Sequence, residues 1–435
     1  MLMTEVDIIS REIVRPSSPA VLHFKPFKLT LLDQLTPTTY VPLVLFYPKS
    51  HTHQSKGLHI LPAQLKKSLS KTLDHYYPFS GRTQRNLFVD HYDEGVPYNE
   101  ARVKCRMNDF LQHPDQTVAL NQFLPCWPFI LEPNPEETPQ VAIQVNIFDC
   151  GGIAIGMCFS HKITDGITMS AFLKSWAVNA AGHCNKLELP DFSGASSSAR
   201  FPPQDSTFVP IHLSLVESFW FGKGKYKTRR FVMDSKSIET LKAKARSERV
   251  VKPTRVESLS GFIFARAVAA SRVISGSPRP AVLAQAVNIR GRTKPCLPDY
   301  SPGNIFRLAF CECNSVENQI ELSGIVAALR EAVEKISGQS FNIADQMGLF
   351  SKADTFCFSS WLKFGFDELD FGWGRPIWVG VMLGDVGPRE VTFFTKTNGL
   401  DAIEAWVTLK EKEMAVLEDD PEFLAFASKN PSILS

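Results

Sequence analysis

Between Gln140 and Ala180 the sequence changes periodicity twice, and this leaves few folds open. Val141, Ile143, Val145 and Ile147 alternate with other residues, the pattern of a strand with one face toward a core. Cys150-Gly151-Gly152 follows, where glycine accepts the positive φ of a tight turn. Ile153 to Phe159 then return as a continuous apolar run. From Ile167 the spacing is helical, with Met169, Phe172, Leu173, Trp176 and Ala180 on one face. A hairpin whose second strand passes directly into a helix calls for a mixed α/β architecture. It also puts Ser160-His161-Lys162-Ile163-Thr164-Asp165-Gly166 at the strand-to-helix turn, where an imidazole can open onto a ligand.

The same mixture continues on both sides. Ile8 to Val14 and Val41 to Tyr47 read as strands. Leu61 to Tyr77 reads as a helix, because Leu61, Leu65, Leu69 and Leu73 recur every four residues while Lys66, Lys67 and Lys71 fall off that face. Tyr77-Pro78-Phe79-Ser80-Gly81-Arg82 ends it. Further on, Arg230 to Met233, Val282 to Ile289, Ile305 to Cys311 and Val391 to Phe394 read as strands, and Ile238 to Arg246, Val256 to Val273 and Leu322 to Ile336 as helices. Ile403, Trp406, Val407, Met414 and Leu417 are spaced as a last helix. The 435 residues suggest two domains. The best linker is the stretch from Pro190 to about Pro210, in which Ser193 to Ala199 contain only Ser, Gly and Ala. The expected division is therefore 1–189, a linker at 190–212, and 213–435.

Charge and cysteine usage remove several classes of function. The net charge of +2, with no basic run, argues against nucleic acid and anionic membranes as partners. No apolar stretch reaches the roughly 18 residues of a membrane span. Met1 to Arg15 carries acids and no apolar core, so no signal peptide is evident and a cytoplasmic location is expected. The nine cysteines are odd in number, scattered and without C-x-x-C, which reads as reduced thiols. His51, His53 and His59 cluster in a polar stretch, but no Cys or carboxylate joins them at ligand spacing, so no metal site is expected. The P-loop, G-x-G-x-x-G, H-E-x-x-H and G-x-S-x-G patterns are absent.

Two stretches could carry chemistry. H-x-x-x-D is a weak pattern by itself. His161 can be a general base at the turn, or it can be packed there with Asp165 capping the following helix. Asp370-Phe371-Gly372-Trp373-Gly374 can belong to a site, or it can be a tight aromatic-glycine turn. Asp367, Glu368 and Asp370 raise the thought of paired carboxylates, but nothing else supports glycosidase chemistry. Thirty-two Phe suit either a large core or an apolar pocket for a bulky ligand.

Together the two stretches resemble the plant BAHD acyltransferases, His161 to Gly166 matching HxxxDG and Asp370 to Gly374 being identical to DFGWG. The likeness runs nearly end to end: Leu31-Leu32-Asp33-Gln34 resembles an N-terminal family segment, Tyr77 to Arg82 matches YPxxGR, and Ala405 to Leu409 resembles the C-terminal helix. Gln285 to Arg290, Leu297-Pro298 and Gly303-Asn304 resemble the vinorine synthase-like subgroup of alkaloid and terpenoid acetyltransferases. The Tyr-Phe-Gly-Asn-Cys signature of malonyltransferases is not present, its place reading Ser301 to Ile305.

The resemblance implies two chloramphenicol acetyltransferase-like domains, each a mixed sheet flanked by helices, joined by a crossover loop. It implies a monomer without metal or resident cofactor, taking acyl-CoA, with acetyl-CoA favoured, and a small alcohol as co-substrates. His161 is then the general base, and Asp165 points away from it to pair with Arg290. Ser359, Trp361 and Gly166 become candidates for binding the substrate and the developing oxyanion. Asp370, Phe371, Gly372, Trp373 and Gly374 brace the cofactor side. Hydroxycinnamoyl, benzoyl or malonyl donors, an amine acceptor, or a non-catalytic binding protein of the same fold are the alternatives. A condensation domain also shares HxxxDG, but there a second His usually precedes the motif, where this chain has Ser160.

Overall fold

The computed structural model describes residues 5–49, 60–112, 119–128, 136–183, 189–192, 197–204, 208–221, 224–277, 279–313, 321–336, 353–381, 387–396 and 401–433. His51, His53 and His59 lie outside these. The first half contributes strands β1 (Val6–Val14), β2 (Tyr40–Tyr47), β3 (Val96–Val103), β4 (Val141–Phe148) and β5 (Ile153–Ser160), in the spatial order β1-β3-β4-β5-β2. The pairing of β4 with β5 is the expected hairpin: Phe148 N–H donates to the Gly152 carbonyl at 2.9 Å, and Gly151 takes φ 83°. Helices α1 (Ile60–His75) and α2 (Gly166–Ala181) pack together through their apolar stripes. Leu65, Leu69 and Leu73 are buried with Phe172, Leu173 and Trp176, and the Trp176 indole donates to the Leu65 carbonyl at 3.2 Å. Burying side chains of this size contributes about 1.5–3 kcal/mol each before entropy is charged.

The second half opens with α3 (Phe208–Trp220), strand β6 (Tyr226–Met233), and helices α4 (Ser235–Lys244) and α5 (Arg255–Ser275). Thr254 and Glu257 form a capping box that starts α5, each side chain accepting from the other's backbone N–H. Then come β7 (Ala281–Asn288), β8 (Phe306–Cys313), α6 (Leu322–Lys335), β9 (Asp354–Ser360), β10 (Trp378–Gly380), β11 (Arg389–Thr395), β12 (Ile403–Lys410), α7 (Glu411–Glu418) and β13 (Ser428–Lys429). The second sheet is ordered β8-β7-β9-β11-β12-β6-β13. Strand β10 is not part of it. It crosses to the first sheet and pairs antiparallel with β2, Val379 opposite Leu45.

One expectation changes here. Ile403 to Leu417 is not one helix. Ile403–Lys410 is a strand between β11 and β6, buried on both faces, and only Glu411–Glu418 is helical. A strand covered on both faces loses its alternation, and its apolar residues happen to continue the helical spacing of Met414 and Leu417. The stretch compared with the family's C-terminal helix, Ala405 to Leu409, is therefore strand. The stretch 190–212 also contains regular structure. Ser197–Arg200 form a helical turn and α3 begins inside the stretch at Phe208. Gln204 within it is bonded to Gln34, whose Nε2 donates to the Gln204 carbonyl and whose Oε1 accepts from Gln204 N–H, both at 2.8 Å.

Candidate active site

β5 ends at Ser160 and α2 begins at Gly166, so the HxxxDG stretch is the turn between them. Asp165 is the N-cap of α2: its Oδ1 accepts from Thr168 N–H at 2.9 Å and from the Thr168 hydroxyl at 2.8 Å. The same carboxylate receives a two-pronged contact from Arg290, Nη1 to Oδ2 at 2.7 Å and Nη2 to Oδ1 at 3.1 Å. Arg290 is fully buried, and its remaining N–H groups donate to the carbonyls of Ser301 (2.9 Å) and Gly303 (3.0 Å) and to Asn288 Oδ1 (3.3 Å). Ile305 N–H also reaches Asp165, at 3.2 Å. Asp165 thus faces away from His161 and binds the turn before β8 to the start of α2.

The imidazole is held by a different residue. His161 Nδ1 lies 3.0 Å from Asn304 Oδ1. Asn304 Nδ2 donates to three acceptors, the His161 carbonyl (2.7 Å), Asp33 Oδ1 (3.0 Å) and the Lys162 carbonyl (3.2 Å). None of these can donate, so the amide nitrogen must face them and the amide oxygen must face the ring. Nδ1 therefore carries the proton and donates it to Asn304, and Nε2 keeps its lone pair. Asp33, buried in the Leu31–Gln34 turn, fixes Asn304 from behind, accepting from its backbone N–H at 2.7 Å. Burial raises the Asp33 carboxyl, against the opposing hydrogen bonds from Asn304 and Thr30.

Burial lowers the pKa of His161 below its ordinary 6.5, with Asn304 and Asp165 working in the other direction. The ring is neutral at pH 7 and able to accept a proton. Trp220, at the end of α3, lies edge-on to it at 5.8 Å, and Phe306 flanks it at 6.0 Å. Lys162 is buried beside it. Its ammonium, brought down to about 8 by burial, donates to the Thr36 carbonyl and to the Gln34 carbonyl at 3.3 Å.

The other expected residues are spread along the structure. Asp370 Oδ1 accepts from the N–H groups of Gly372 (2.8 Å), Trp373 (3.0 Å) and Gly374 (2.8 Å). Gly372 and Gly374 take φ 100° and 111°, which favours glycine. Phe371 is packed edge-on against Trp176 at 4.9 Å, and a Cβ on Gly372 would meet Ala181. This turn lies at the C-terminal end of α2, while His161 is at its N-terminal end, roughly 20 Å away along a helix of this length. Ser359 Oγ is 3.2 Å from Thr392 Oγ1 on the second sheet. The Trp361 ring packs among Phe364, Phe366 and Phe394. Above Gly166 there is no open space for a ligand, because a Cβ there would stand 2.2 Å from the Phe364 ring.

A protein-family model described as the Transferase family matches residues 4–424. The chain is 36% identical to akuammiline synthase 2 of Alstonia scholaris, over 98% of both chains. It is 37% identical to limonoid 7-O-acetyltransferase of Citrus sinensis, over 98% of this chain and 99% of that one. The crystal structure of vinorine synthase superposes with a TM-score of 0.83 at 30% identity, covering 98% of this chain and 99% of the other. The chain belongs to the BAHD transferase family. As a BAHD protein it is an acyltransferase, with the mixed α/β fold of two sheet-containing halves that its motifs implied.

For this BAHD chain, sequence reasoning missed the positions of Asn304 and Asp33 against the imidazole. Both stood in segments noted only as markers, Gly303-Asn304 for the subgroup and Leu31 to Gln34 for the family. No local spacing connects them to His161. Among the described residues no group of three His, Cys, Asp or Glu could hold a metal ion, and no helix is long and apolar enough to cross a membrane.

Proposed function

We propose that this BAHD protein transfers an acetyl group from acetyl-CoA to a hydroxyl of a polycyclic alkaloid or terpenoid, with His161 Nε2 as the general base. An alcohol is a poor nucleophile near neutral pH. Nε2 takes the hydroxyl proton as the oxygen attacks the thioester carbonyl. The tetrahedral intermediate collapses with cleavage of the C–S bond, and the imidazolium returns the proton to the departing thiolate. The acceptor oxygen, not a side chain of the enzyme, attacks the thioester, so no acyl-enzyme forms and both substrates must be bound together. The observation that supports this reading is the Asn304 contact at 3.0 Å, which favours the proton on Nδ1 and so leaves the Nε2 lone pair for the acceptor hydroxyl.

The developing oxyanion needs a donor. Ser359 is favoured over Trp361, whose ring is engaged in aromatic packing. Asp165 with Arg290 shapes the turn that carries His161, and Asp370 with Phe371 to Gly374 braces the far end of α2. The limonoid acetyltransferase and the synthases it resembles support an acetyl donor and a bulky acceptor. The same reading has residues 1–189 and 213–435 as two acyltransferase domains joined through 190–212, acting as a cytoplasmic monomer without metal.

The donor is tested by offering acetyl-, malonyl-, benzoyl- and coumaroyl-CoA with pooled alkaloid and terpenoid alcohols, following thiol release and product mass. Acetyl-CoA is expected to give the fastest release and a product heavier by one acetyl group. Release with malonyl-CoA or an aromatic donor alone would overturn the acetyl assignment while leaving the base in place.

A further inference from the structure

β9 and β11 are parallel neighbours, with Cys357 opposite Glu390 and Ser359 opposite Thr392. Phe356, Phe358, Val391 and Phe393 of the same strands are buried in the second core. By alternation, Cys357, Ser359, Glu390 and Thr392 face the other way. Phe306 is on that face too, because Phe310 pairs with Ala284 and Ala284 with Cys357. It is the face on which Phe306 meets His161. Ser359 and Glu390 are half-buried there, and Thr392 is fully buried between them.

Thr392 Oγ1 lies 3.2 Å from Ser359 Oγ and 3.3 Å from Glu390 Oε1. These are long contacts, of the kind that tighten when a ligand is bound. A hydroxyl has one proton to give. If Ser359 gives its proton to the carbonyl oxygen of a bound thioester, Thr392 can support it by donating to Ser359. Thr392 then needs a donor behind it. Among the described residues the side chain in hydrogen-bond reach is Glu390, and a carboxyl donates only when protonated.

The groups around Glu390 favour that state. Across β9 stands Cys357, whose thiol is pushed up by burial and by Glu390 and stays neutral. Across β12 stands Thr408, its hydroxyl 2.8 Å from that of Thr228. Arg389, next in sequence, is on the opposite face of the strand and holds Glu413 and Asp354. No described cation pairs with Glu390, and burial pushes its carboxyl up to about 7, with Thr392 lowering it in part.

We propose that Glu390 is a positioning residue for acyl transfer: as a neutral acid at the head of the chain Glu390–Thr392–Ser359, it turns both hydroxyls so that Ser359 donates to the oxygen that becomes negative. The proposal rests on Ser359 as the oxyanion donor. When Glu390 ionises, Thr392 turns its proton to the carboxylate, Ser359 loses its support, and a negative charge faces the reaction.

The test is kcat/KM from pH 5.5 to 9 for wild type, Glu390→Gln, Glu390→Leu and Ser359→Ala, each checked for Tm and for CoA binding. In wild type, kcat/KM is expected to fall about tenfold to a plateau as pH rises through about 7. The Gln amide donates at every pH, so Glu390→Gln keeps the wild-type rate near pH 6.5 and loses the alkaline step. Glu390→Leu is about tenfold slow throughout. Ser359→Ala is slow by about a hundredfold. An alkaline step that persists in Glu390→Gln, or a fully active Glu390→Leu, overturns the chain. If Ser359→Ala is as fast as wild type, the oxyanion assignment itself fails and takes the chain with it. If Ser359→Ala is slow but Glu390→Gln titrates like wild type, only the role of Glu390 is lost.

Discussion

At His161 the proton and the lone pair are assigned by groups from three separate stretches of chain: the imidazole itself, Asn304 against Nδ1, and Asp33 behind Asn304. An amide there, rather than a carboxylate, keeps the imidazole weakly basic. The folded site resists a proton that the unfolded chain accepts near 6.5, so stability is lost as pH falls through that value. With His161 as the proposed base, activity should fall on the same side, because a protonated ring cannot take the hydroxyl proton. Asn304→Asp puts a negative charge on Nδ1 and should move the acidic limb of kcat/KM upward by about one pH unit; a limb that stays in place contradicts the contact. Asp165 offers the complementary test. Asp165→Ala strands the buried Arg290 charge and is expected to cost about 3–5 kcal/mol, read as a lower Tm along with lost activity. Full stability with lost activity would instead put Asp165 in the chemistry. At this scale the H-x-x-x-D spacing was legible, and the pairing of Asp165 with Arg290 came from the family resemblance. Asn304 was not, because its contact spans 143 residues and leaves no periodic trace.

Helix α2 separates two motifs that the sequence presents as partners. Its N-terminal end carries His161 and the Asp165 cap, and its C-terminal end receives the Phe371–Gly374 turn. Asp370 satisfies three consecutive N–H groups of that turn, a local task. Asp370→Ala should therefore lower Tm, by roughly 1–3 kcal/mol of stability, and slow acyl transfer only as far as the turn loosens. An inactive Asp370→Ala with an unchanged Tm would contradict this. α1 and α2, each with one face in the core, were readable from period alone, while β4 and β5, buried on both faces, were marked by two apolar runs meeting at the Gly151-Gly152 turn. β12 was not. It is covered on both faces, and it even buries Glu404, paired with Arg230 at 2.8 Å, so neither alternation nor polarity marked it as a strand.

The two halves of the chain are not independent bodies. β10 completes the first sheet, Trp378 stacks on Phe46 at 5.1 Å and on Trp406 of the second sheet at 6.0 Å, and Ile433 near the end of the chain lies in the first core. One cooperative unfolding transition is expected, with Trp378→Ala lowering its midpoint by the equivalent of about 3–5 kcal/mol; two separate transitions in wild type would contradict the coupling. A two-part α/β chain was legible from length and mixed periodicity. The crossing strand was not, since three residues carry no period. That coupling keeps the His161 turn on the first half and the Ser359 face on the second in one fixed relation. The most direct test of His161 as the base is single-turnover acetyl transfer from acetyl-CoA by wild type and His161→Ala, with CoA binding and Tm measured on both. His161→Ala should bind CoA and melt like wild type but transfer at least about a hundredfold more slowly. A His161→Ala protein that transfers at the wild-type rate would contradict it.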